Sequence, residues 1–433
     1  MYTQEEYIKK IINFDDLVSI IQPGGSIFIS SGPAIPSFSV KNLISSDKFE
    51  GYDLKIIQLF TIGDFFDDDK GESSKYRLVN FRIAGGLSNE TDTGRTDFVP
   101  SNLKEIPYIF ESGAVDIDVA IITTSRPDRH GYMSLGIAID VAQIILRKAK
   151  IVIAEINPHM PITYGETTVH VDQVHNIIES NEPLLERERK EYGDAEDEIG
   201  SHISKLIEDG STVILHAGSI FDAIASHIKG KKDIGIYTNV ISDWVIDLIE
   251  SGTISFNRER SSGGLVSTSY CYGTSELYKY IDQKQIFRFY PISQLADPYR
   301  IRNVSNLVSI MNVEKIDITA STVVFFSTDD LLSGFQSKFN FAVGTALSDS
   351  GKVIFAIRST DREGKSNIVI SHDSGMTRLR STLNIIRYVV TEYGIADLFG
   401  KTVRERVHLL IGLAHPNHRE NLLSEAKENG YIF

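Results

Sequence analysis

Short runs of β-branched residues alternate with amphipathic segments along almost the whole chain, and this alternation constrains the fold more than any other feature of the sequence. In the first half the apolar runs are SIFIS (26–30), DLKIIQLF (53–60), IDVAIITT (117–124) and KIVIAEI (150–156). The apolar spacing of residues 137–149 predicts a crossover helix between the last two runs. Strands joined by such helices form parallel sheets, so we expect an N-terminal α/β domain over residues 1–185.

A charged segment at residues 181–200, NEPLLERERKEYGDAEDEIG, interrupts this pattern and predicts a solvated connection or an exposed helix. The alternation then restarts with STVILH (211–216), DIGIYT (233–238) and LVSTSY (265–270), each followed by a helical pattern. Because consecutive crossovers are right-handed and short, these strands should share one parallel sheet. The sequence therefore predicts a second α/β domain over residues 200–433.

Charge and composition exclude several classes of partner. The 433 residues carry a formal net charge of −14 and contain no block rich in Lys or Arg, so we expect neither nucleic acid nor a membrane surface as the ligand. With 42% hydrophobic and 24% charged residues, the composition is that of a folded soluble protein.

Targeting signals and metal sites are also not expected. No apolar run approaches the roughly 18 residues of a membrane span, and the first residues do not resemble a signal peptide, so the predicted location is the cytoplasm. Cys271 is the single cysteine, which rules out an intrachain disulfide and a multi-thiolate metal site, and we predict no bound metal.

Several longer motifs, taken together, resemble the acetyl-CoA hydrolase/transferase family, which includes 4-hydroxybutyrate and succinyl-CoA:acetate CoA-transferases. They are GRTDFVP (94–100), SRPDRHGYMSLG (125–136), IAEINPHMPITYG (153–165), IGIYTNVISDWVIDLIESG (234–252), YVVTEYGIADLFGKTVRERV (388–407) and AHP (414–416). The resemblance implies two α/β domains with mainly parallel sheets, of the class I CoA-transferase type, with the acyl-CoA site in the cleft between them. It also implies a homo-oligomer, such as a homodimer, that takes a coenzyme A thioester as substrate and holds no permanent cofactor.

The resemblance weakens at the reaction centre. The family's nucleophile is a glutamate that becomes a glutamyl-CoA thioester, and the matching stretch here ends in Asn239, whose neutral amide is a poor nucleophile. The family's Gly-Ile-Gly turn appears as His216-Ala217-Gly218, and its glycine-rich loop lacks two glycines, the glutamine and the aspartate. By resemblance, the residues expected to contact CoA are Ala217, Gly218, Gly334 and Gln336. Lys338 lies at a position that the family does not usually keep basic, and we expect it either to contact a CoA phosphate or to face water.

Three chemically versatile side chains follow predicted strands of the second domain: His216, Asn239 and Cys271. Ligands bind outside the carboxyl ends of parallel strands, so these side chains are predicted to face one crevice. A thiolate, an imidazole and an amide are the groups with which enzymes form thioester acyl-enzymes. The start of the next helix would favour the Cys271 thiolate. Our first hypothesis is therefore acyl transfer, from acyl-CoA or a carrier-bound acyl group, through a Cys271 acyl-enzyme.

Other interpretations of the same residues stay open. Cys271 could pack as a small hydrophobe, His216 could cap the following helix, and Asn239 could bind backbone groups at a strand end. At the level of function, the alternatives are a conventional CoA-transferase or acyl-CoA hydrolase that uses another carboxylate, and an acyl-CoA-binding homologue without turnover.

Overall fold

The computed structural model describes residues 4–63, 65–66, 75–81, 96–255, 266–320, 322–324, 335–370, 379–380 and 385–432. The chain forms two compact units: Met1–Arg189 together with Ser267–Leu295, and Lys190–Val266 together with Ala296–Phe433. Among the described residues, no helix is both long enough and apolar enough to cross a membrane.

The described strands are β1 (Ser26–Ile29), β2 (Leu54–Gln58), β3 (Tyr76–Asn80), β4 (Thr96–Phe98), β5 (Val119–Thr124), β6 (Tyr132–Ser134), β7 (Ile151–Ile156), β8 (Thr168–His170), β9 (Asn176–Glu179), β10 (Thr212–Ile214), β11 (Gly235–Tyr237), β12 (Val240–Ile241), β13 (Val266–Thr268), β14 (Tyr270–Cys271), β15 (Phe287–Phe289), β16 (Leu307–Asn312), β17 (Lys315–Asp317), β18 (Thr322–Val324), β19 (Lys352–Ala356), β20 (Ile368–Val369), β21 (Leu379–Arg380), β22 (Tyr388–Thr391) and β23 (Gly394–Asp397).

The described α-helices are α1 (Gln4–Lys10), α2 (Phe14–Ile20), α3 (Ser37–Ser45), α4 (Ile106–Glu111), α5 (Ala142–Lys148), α6 (Asp194–Ser204), α7 (Ser219–Ile228), α8 (Trp244–Glu250), α9 (Ser275–Ile281), α10 (Ile292–Leu295), α11 (Pro298–Ile301), α12 (Phe335–Ala346), α13 (Val403–Leu413) and α14 (Pro416–Glu428).

The first unit is built on a seven-stranded sheet with the order β4-β3-β2-β1-β5-β7-β9. All of its strand pairs are parallel. The apolar runs predicted as strands in the first half are β1, β2, β5 and β7 of this sheet, so these predictions are confirmed. The side chains of β1 and β5 are buried throughout, as expected for parallel strands covered on both faces.

The predicted crossover helix over 137–149 is shorter than expected, because α5 begins only at Ala142. The segment before it is extended: Ala138 forms an antiparallel bridge with Tyr270, and the Ile139 amide donates to the Ser269 carbonyl. Asp140 then adopts a positive φ of 32°, which ends the extended stretch. Apolar spacing did not distinguish this buried extended segment from a helical turn.

The second sheet contains the strands predicted at 211–216 and 233–238, which are β10 and β11. Its strands that lie wholly in the second unit follow the order β11-β10-β16-β19-β22-β23. The pairs from β11 to β22 are parallel, and only β23 returns antiparallel. Chain order runs from β10 to β11 on one side and from β16 onward on the other, so the direction of winding switches between β10 and β16. The predicted fold class, α/β with mainly parallel sheets, is confirmed.

The charged segment over 181–200 is only partly as expected. Residues 181–193 have no regular secondary structure. Helix α6 begins at Asp194, and the Gly193 amide before it donates a hydrogen bond to the Glu196 carboxylate. The helix is not an exposed one, because Glu196, Ile199 and Ile203 are buried. The acidic residues of its first turn make the helix look exposed when the sequence is judged by charge alone.

The domain limits differ from those expected at one place. Residues 267–295 belong to the first unit, although the predicted C-terminal domain over 200–433 includes them. Backbone hydrogen bonds explain this: the Phe289 amide donates to the Tyr164 carbonyl, and the Cys271 amide donates to the Ile137 carbonyl. Alternation along the sequence carries no signal that a segment returns to an earlier unit.

Candidate functional site

The switch between β10 and β16 marks the place in the second unit where a ligand site is expected. In open α/β sheets, the loops that leave the carboxyl ends of strands diverge at such a point and open a crevice. The loops that follow β10 and β16 flank this point, and the loops that follow the adjacent strands β11 and β19 leave the same edge of the sheet.

The loop after β10 carries His216, Ala217 and Gly218. His216 is fully buried, its ring lies edge-on to Phe221 and Phe341 at centroid distances of 5.4 and 6.3 Å, and its carbonyl accepts a 2.9 Å hydrogen bond from the Trp244 indole. Gly218 has a φ of 141°, which L-residues rarely adopt, and it is the N-cap of α7. These contacts fix the turn.

Asn239 follows the neighbouring strand β11 and is fully buried. The preceding Thr238 hydroxyl donates to the Leu215 carbonyl, so the loop after β11 is hydrogen-bonded to the loop after β10. The structure thus brings the His216 and Asn239 loops to the same edge of one sheet, as the sequence predicted. An amide at this edge can donate hydrogen bonds to a developing oxyanion, but it cannot attack a thioester as a carboxylate does.

Cys271 belongs to the first unit, whereas His216 and Asn239 belong to the second. It lies in β14, its amide donates to the Ile137 carbonyl at 2.8 Å, and its side chain is fully buried. The catalytic set of Cys271, His216 and Asn239 stays a prediction.

The residues expected to contact CoA are distributed unevenly over the described structure. Ala217 and Gly218 lie in the fixed turn before α7. Gly334 lies outside the described residues, and Gln336 and Lys338 lie at the start of α12, where only the backbone is described.

A cavity of about 520 Å³ opens at the same edge of the second sheet. It is lined by the start of α7, by residues 312–315 that end β16 and lead into β17, and by residues 358–367 that follow β19. Its charged lining residues are the basic Lys315, Arg358, Arg362 and Lys365 and the acidic Glu314, Asp361 and Glu363. The volume lies within the range of small-molecule sites.

Arg358 is fixed in the wall of this cavity by an ion pair with Glu196, a buried residue of α6. Partial burial and the neighbouring positive charge of Arg362 lower the pKa of Arg358, and the nearby Glu392 acts in the opposite direction. Arg358 and Arg362 both contribute guanidinium groups to the cavity lining. Neither arginine is predicted as a site residue from the sequence, although RSTDREGK follows directly after a buried strand.

The segment over residues 358–367 is a folded loop. The Asp361 carboxylate accepts hydrogen bonds from the Glu363 and Lys365 amides at 3.0 and 2.8 Å, and the His418 ring contacts the Gly364 carbonyl at 2.8 Å. The Asn367 amide group donates to the Arg358 carbonyl at 2.9 Å. These contacts hold the basic side chains on a defined backbone.

Comparison with known proteins identifies the family. Residues 1–186 match the acetyl-CoA hydrolase/transferase N-terminal domain, and residues 273–426 match the C-terminal domain of the same family. The chain belongs to the acetyl-CoA hydrolase/transferase family. The expected resemblance is therefore confirmed.

Members of the family resemble the chain over its full length. A 4-hydroxybutyrate coenzyme A transferase of Clostridium kluyveri is 33% identical over 430 residues, covering 99% of this chain and 100% of the relative. A succinyl-CoA:acetate/propanoyl-CoA:succinate CoA transferase of Fasciola hepatica is 31% identical over 419 residues, covering 95% and 86%.

Solved structures agree with this assignment. RipA from Yersinia pestis has a TM-score of 0.89 and 26% identity, with 100% of both chains covered. A 4-hydroxybutyrate CoA-transferase from Porphyromonas gingivalis has a TM-score of 0.80 and 27% identity, covering 98% of this chain and 99% of the other.

Proposed function

We propose that this protein transfers CoA between carboxylic acids, or hydrolyses acyl-CoA, through a carboxylate other than the side chain at position 239. The observation that carries the proposal is the full-length similarity to a 4-hydroxybutyrate coenzyme A transferase, 33% identical over 430 residues. The turn before α7 and the loop after β11, held together at the switch point, support a reaction centre in the family's usual place.

Asn239 has a different task in this proposal. Its buried amide can stabilise the oxygen that becomes negative when a thioester carbonyl is attacked, a contribution worth about 3 kcal/mol for one donor in other enzymes. Attack itself needs an ionised group. Two buried acidic residues follow the loops in question: Asp222 in the first turn of α7, and Asp243 at the N-cap of α8.

The proposed chemistry is balanced without a redox partner. A carboxylate oxygen of the enzyme attacks the thioester carbonyl and the carbon–sulfur bond breaks. The CoA thiolate departs, and the enzyme then carries a mixed anhydride. The thiolate then attacks the enzyme's own acyl carbon, which releases the substrate acid and forms an enzyme–CoA thioester. A second carboxylic acid accepts CoA by the reverse steps, and water in its place gives hydrolysis.

Intact-protein mass spectrometry after incubation with several acyl-CoAs tests this proposal. We expect an adduct of CoA mass, less water, that peptide mapping places on Asp222 or Asp243. Asp222→Asn or Asp243→Asn should remove it, whereas Asp209→Asn, at an exposed position of the same unit, should not. Absence of both the adduct and turnover would overturn the proposal in favour of an acyl-CoA-binding homologue.

The same spectra examine the cysteine hypothesis. In that reaction the Cys271 thiolate attacks the thioester, CoA leaves as the thiol, and the acyl group stays on sulfur, so the adduct has acyl mass. Cys271→Ser should abolish this adduct, because a hydroxyl is far less acidic than a thiol. We expect the melting temperature to stay nearly unchanged. An acyl adduct that survives in Cys271→Ser would exclude the cysteine as nucleophile.

A further inference from the structure

The cavity at the switch point has a charge that contrasts with the whole molecule. The chain carries a net charge of −14, yet four of the seven charged residues that line the cavity are basic. The acidic groups are partly engaged: the Asp361 carboxylate accepts its own loop's amides, and Glu363 pairs with Lys365 at 2.6 Å. The lining thus contains two guanidinium groups, those of Arg358 and Arg362.

Arg358 is held in place before any ligand arrives. Glu196 fixes it from the buried side, and Glu392, which accepts the Ser359 amide at 3.0 Å, anchors the adjoining backbone. A guanidinium restrained in this way loses little side-chain entropy when it binds a planar or tetrahedral anion.

The start of helix α7 is also part of the cavity lining. Ser219 and Ile220, the first residues of the ten-residue helix α7, line the cavity, and the cap residue Gly218 offers no side chain to cover them. The start of a helix carries a partial positive charge and favours phosphate oxygens. Arginine side chains and a helix start in the lining of one cavity are two elements of a phosphate site.

We propose that this cavity binds the phosphate-bearing nucleotide end of the CoA thioester, with Arg358 and Arg362 as the phosphate ligands and Glu196 as the residue that positions Arg358. The inference rests on the proposed function for the identity of the ligand, and it adds the site that holds the part of the substrate remote from the thioester. The volume of about 520 Å³ accommodates a nucleotide-sized group.

Binding is measured directly with adenosine 3′,5′-bisphosphate as the probe, by titration calorimetry on the full chain. We expect Arg358→Gln and Arg362→Gln each to weaken binding about 10- to 100-fold, the usual effect of losing a hydrogen bond to a charged group. Arg302→Gln, at an exposed position of the second unit outside the cavity lining, makes the same change of charge and should leave binding unchanged. Equal affinity in all three variants, or no binding by the unmodified protein, would overturn the inference.

Inorganic phosphate separates a nucleotide site from a general anion site. We expect it to compete with the bisphosphate only at concentrations far above those of the nucleotide. Phosphate that binds as tightly as the bisphosphate would instead assign the cavity to the free anion.

Kinetics distinguish failure of this inference from failure of the proposed function. With acetyl-CoA as substrate, both arginine variants should raise KM about 10- to 100-fold, and with acetyl-pantetheine, which lacks the nucleotide, KM should not change. If the arginine variants turn over acetyl-CoA with the KM of the unmodified protein, the proposed function stands and the cavity is not the nucleotide site. If the nucleotide binds tightly but no acyl-CoA is turned over, the nucleotide site stands and the proposed function fails.

Discussion

At the scale of single residues, Asn239 occupies the position where the resemblance to the family predicts a catalytic glutamate. The side chain is a buried amide, and the neighbouring Thr238 ties its loop to Leu215. If the predicted correspondence holds, an amide replaces a carboxylate on a loop whose backbone is hydrogen-bonded to the loop after β10.

We expect Asn239→Glu alone not to restore efficient CoA transfer between acetate and an acyl-CoA. The resemblance predicts glycines and a glutamine near residues 334–338 that this sequence lacks, and loss of one oxyanion donor costs about 10²- to 10³-fold in rate. The measurement is transferase turnover together with a mass search for CoA on residue 239, with Asn239→Gln as the uncharged control of equal size. Family-like turnover in the glutamate variant would show the rest of the site to be intact.

At the scale of elements, helix α3 begins on a buried carboxylate. Glu155 of β7 accepts the Phe38 and Ser39 amides at 3.2 and 2.8 Å and is fully buried. Burial raises the pKa of Glu155, and the hydrogen bonds at the helix start oppose that rise only in part.

This raised pKa predicts a stability change with a definite sign. The folded protein binds the proton more tightly than the unfolded chain, so the contribution of Glu155 is fully present below the ordinary glutamate pKa and is lost as pH rises through the folded value. Relative to Glu155→Gln, the unmodified protein should therefore lose stability between about pH 4.5 and neutral pH. Thermal unfolding of both proteins across this range measures it, and parallel curves would contradict the assignment.

Helices α6 and α7 meet at a glycine. A Cβ at Gly200 would lie 2.9 Å from the Ala223 carbonyl carbon, a backbone atom that cannot move aside cheaply. We expect Gly200→Ala to lower the free energy of unfolding by about 1–3 kcal/mol, measured by denaturant titration. Ser201→Ala, at the next position of the same helix, serves as the control and should change stability by only about 0.5 kcal/mol. An alanine at 200 that stabilises the protein would show that the helices separate freely.

The sequence predicted the strands better than the helices and the site. Runs such as 117–124 and 150–156 are apolar on both faces, and only a buried parallel strand fits them at that length. The start of α5 was missed because residues 137–139 pair with Ser269 and Cys271, partners far along the chain. Arg358 is not predicted as a site residue, because its position depends on an ion pair with Glu196. Glu196 lies on another element and has the sequence pattern of an ordinary surface acid.

At the scale of the whole molecule, the first unit is discontinuous in sequence, since residues 267–295 complete it. That segment supplies backbone partners to residues 137–166 at Cys271, Gln283 and Phe289. Strand β15 also approaches Gly165 so closely that a Cβ there would lie 2.1 Å from the Phe289 oxygen.

A fragment of residues 1–189 should therefore be less stable than the same fragment with residues 267–295 attached through a flexible linker. The amides and carbonyls of the 137–166 region would lose their partners, and each such intramolecular hydrogen bond contributes about 0.5–1.5 kcal/mol to stability. Urea unfolding monitored by circular dichroism compares the two. Equal midpoints would mean that the first unit folds without the returning segment.

The discontinuity of the first unit also delays its completion during translation. After residue 189 leaves the ribosome, about 100 further residues must be translated before position 295 emerges, which takes roughly 5 to 20 s at ordinary elongation rates. The second unit is likewise unfinished during this interval, because it continues from residue 296 to the end. The nascent chain thus exposes two incomplete cores at once, and in the cell its yield should depend on chaperones that shield these cores until the last strands arrive.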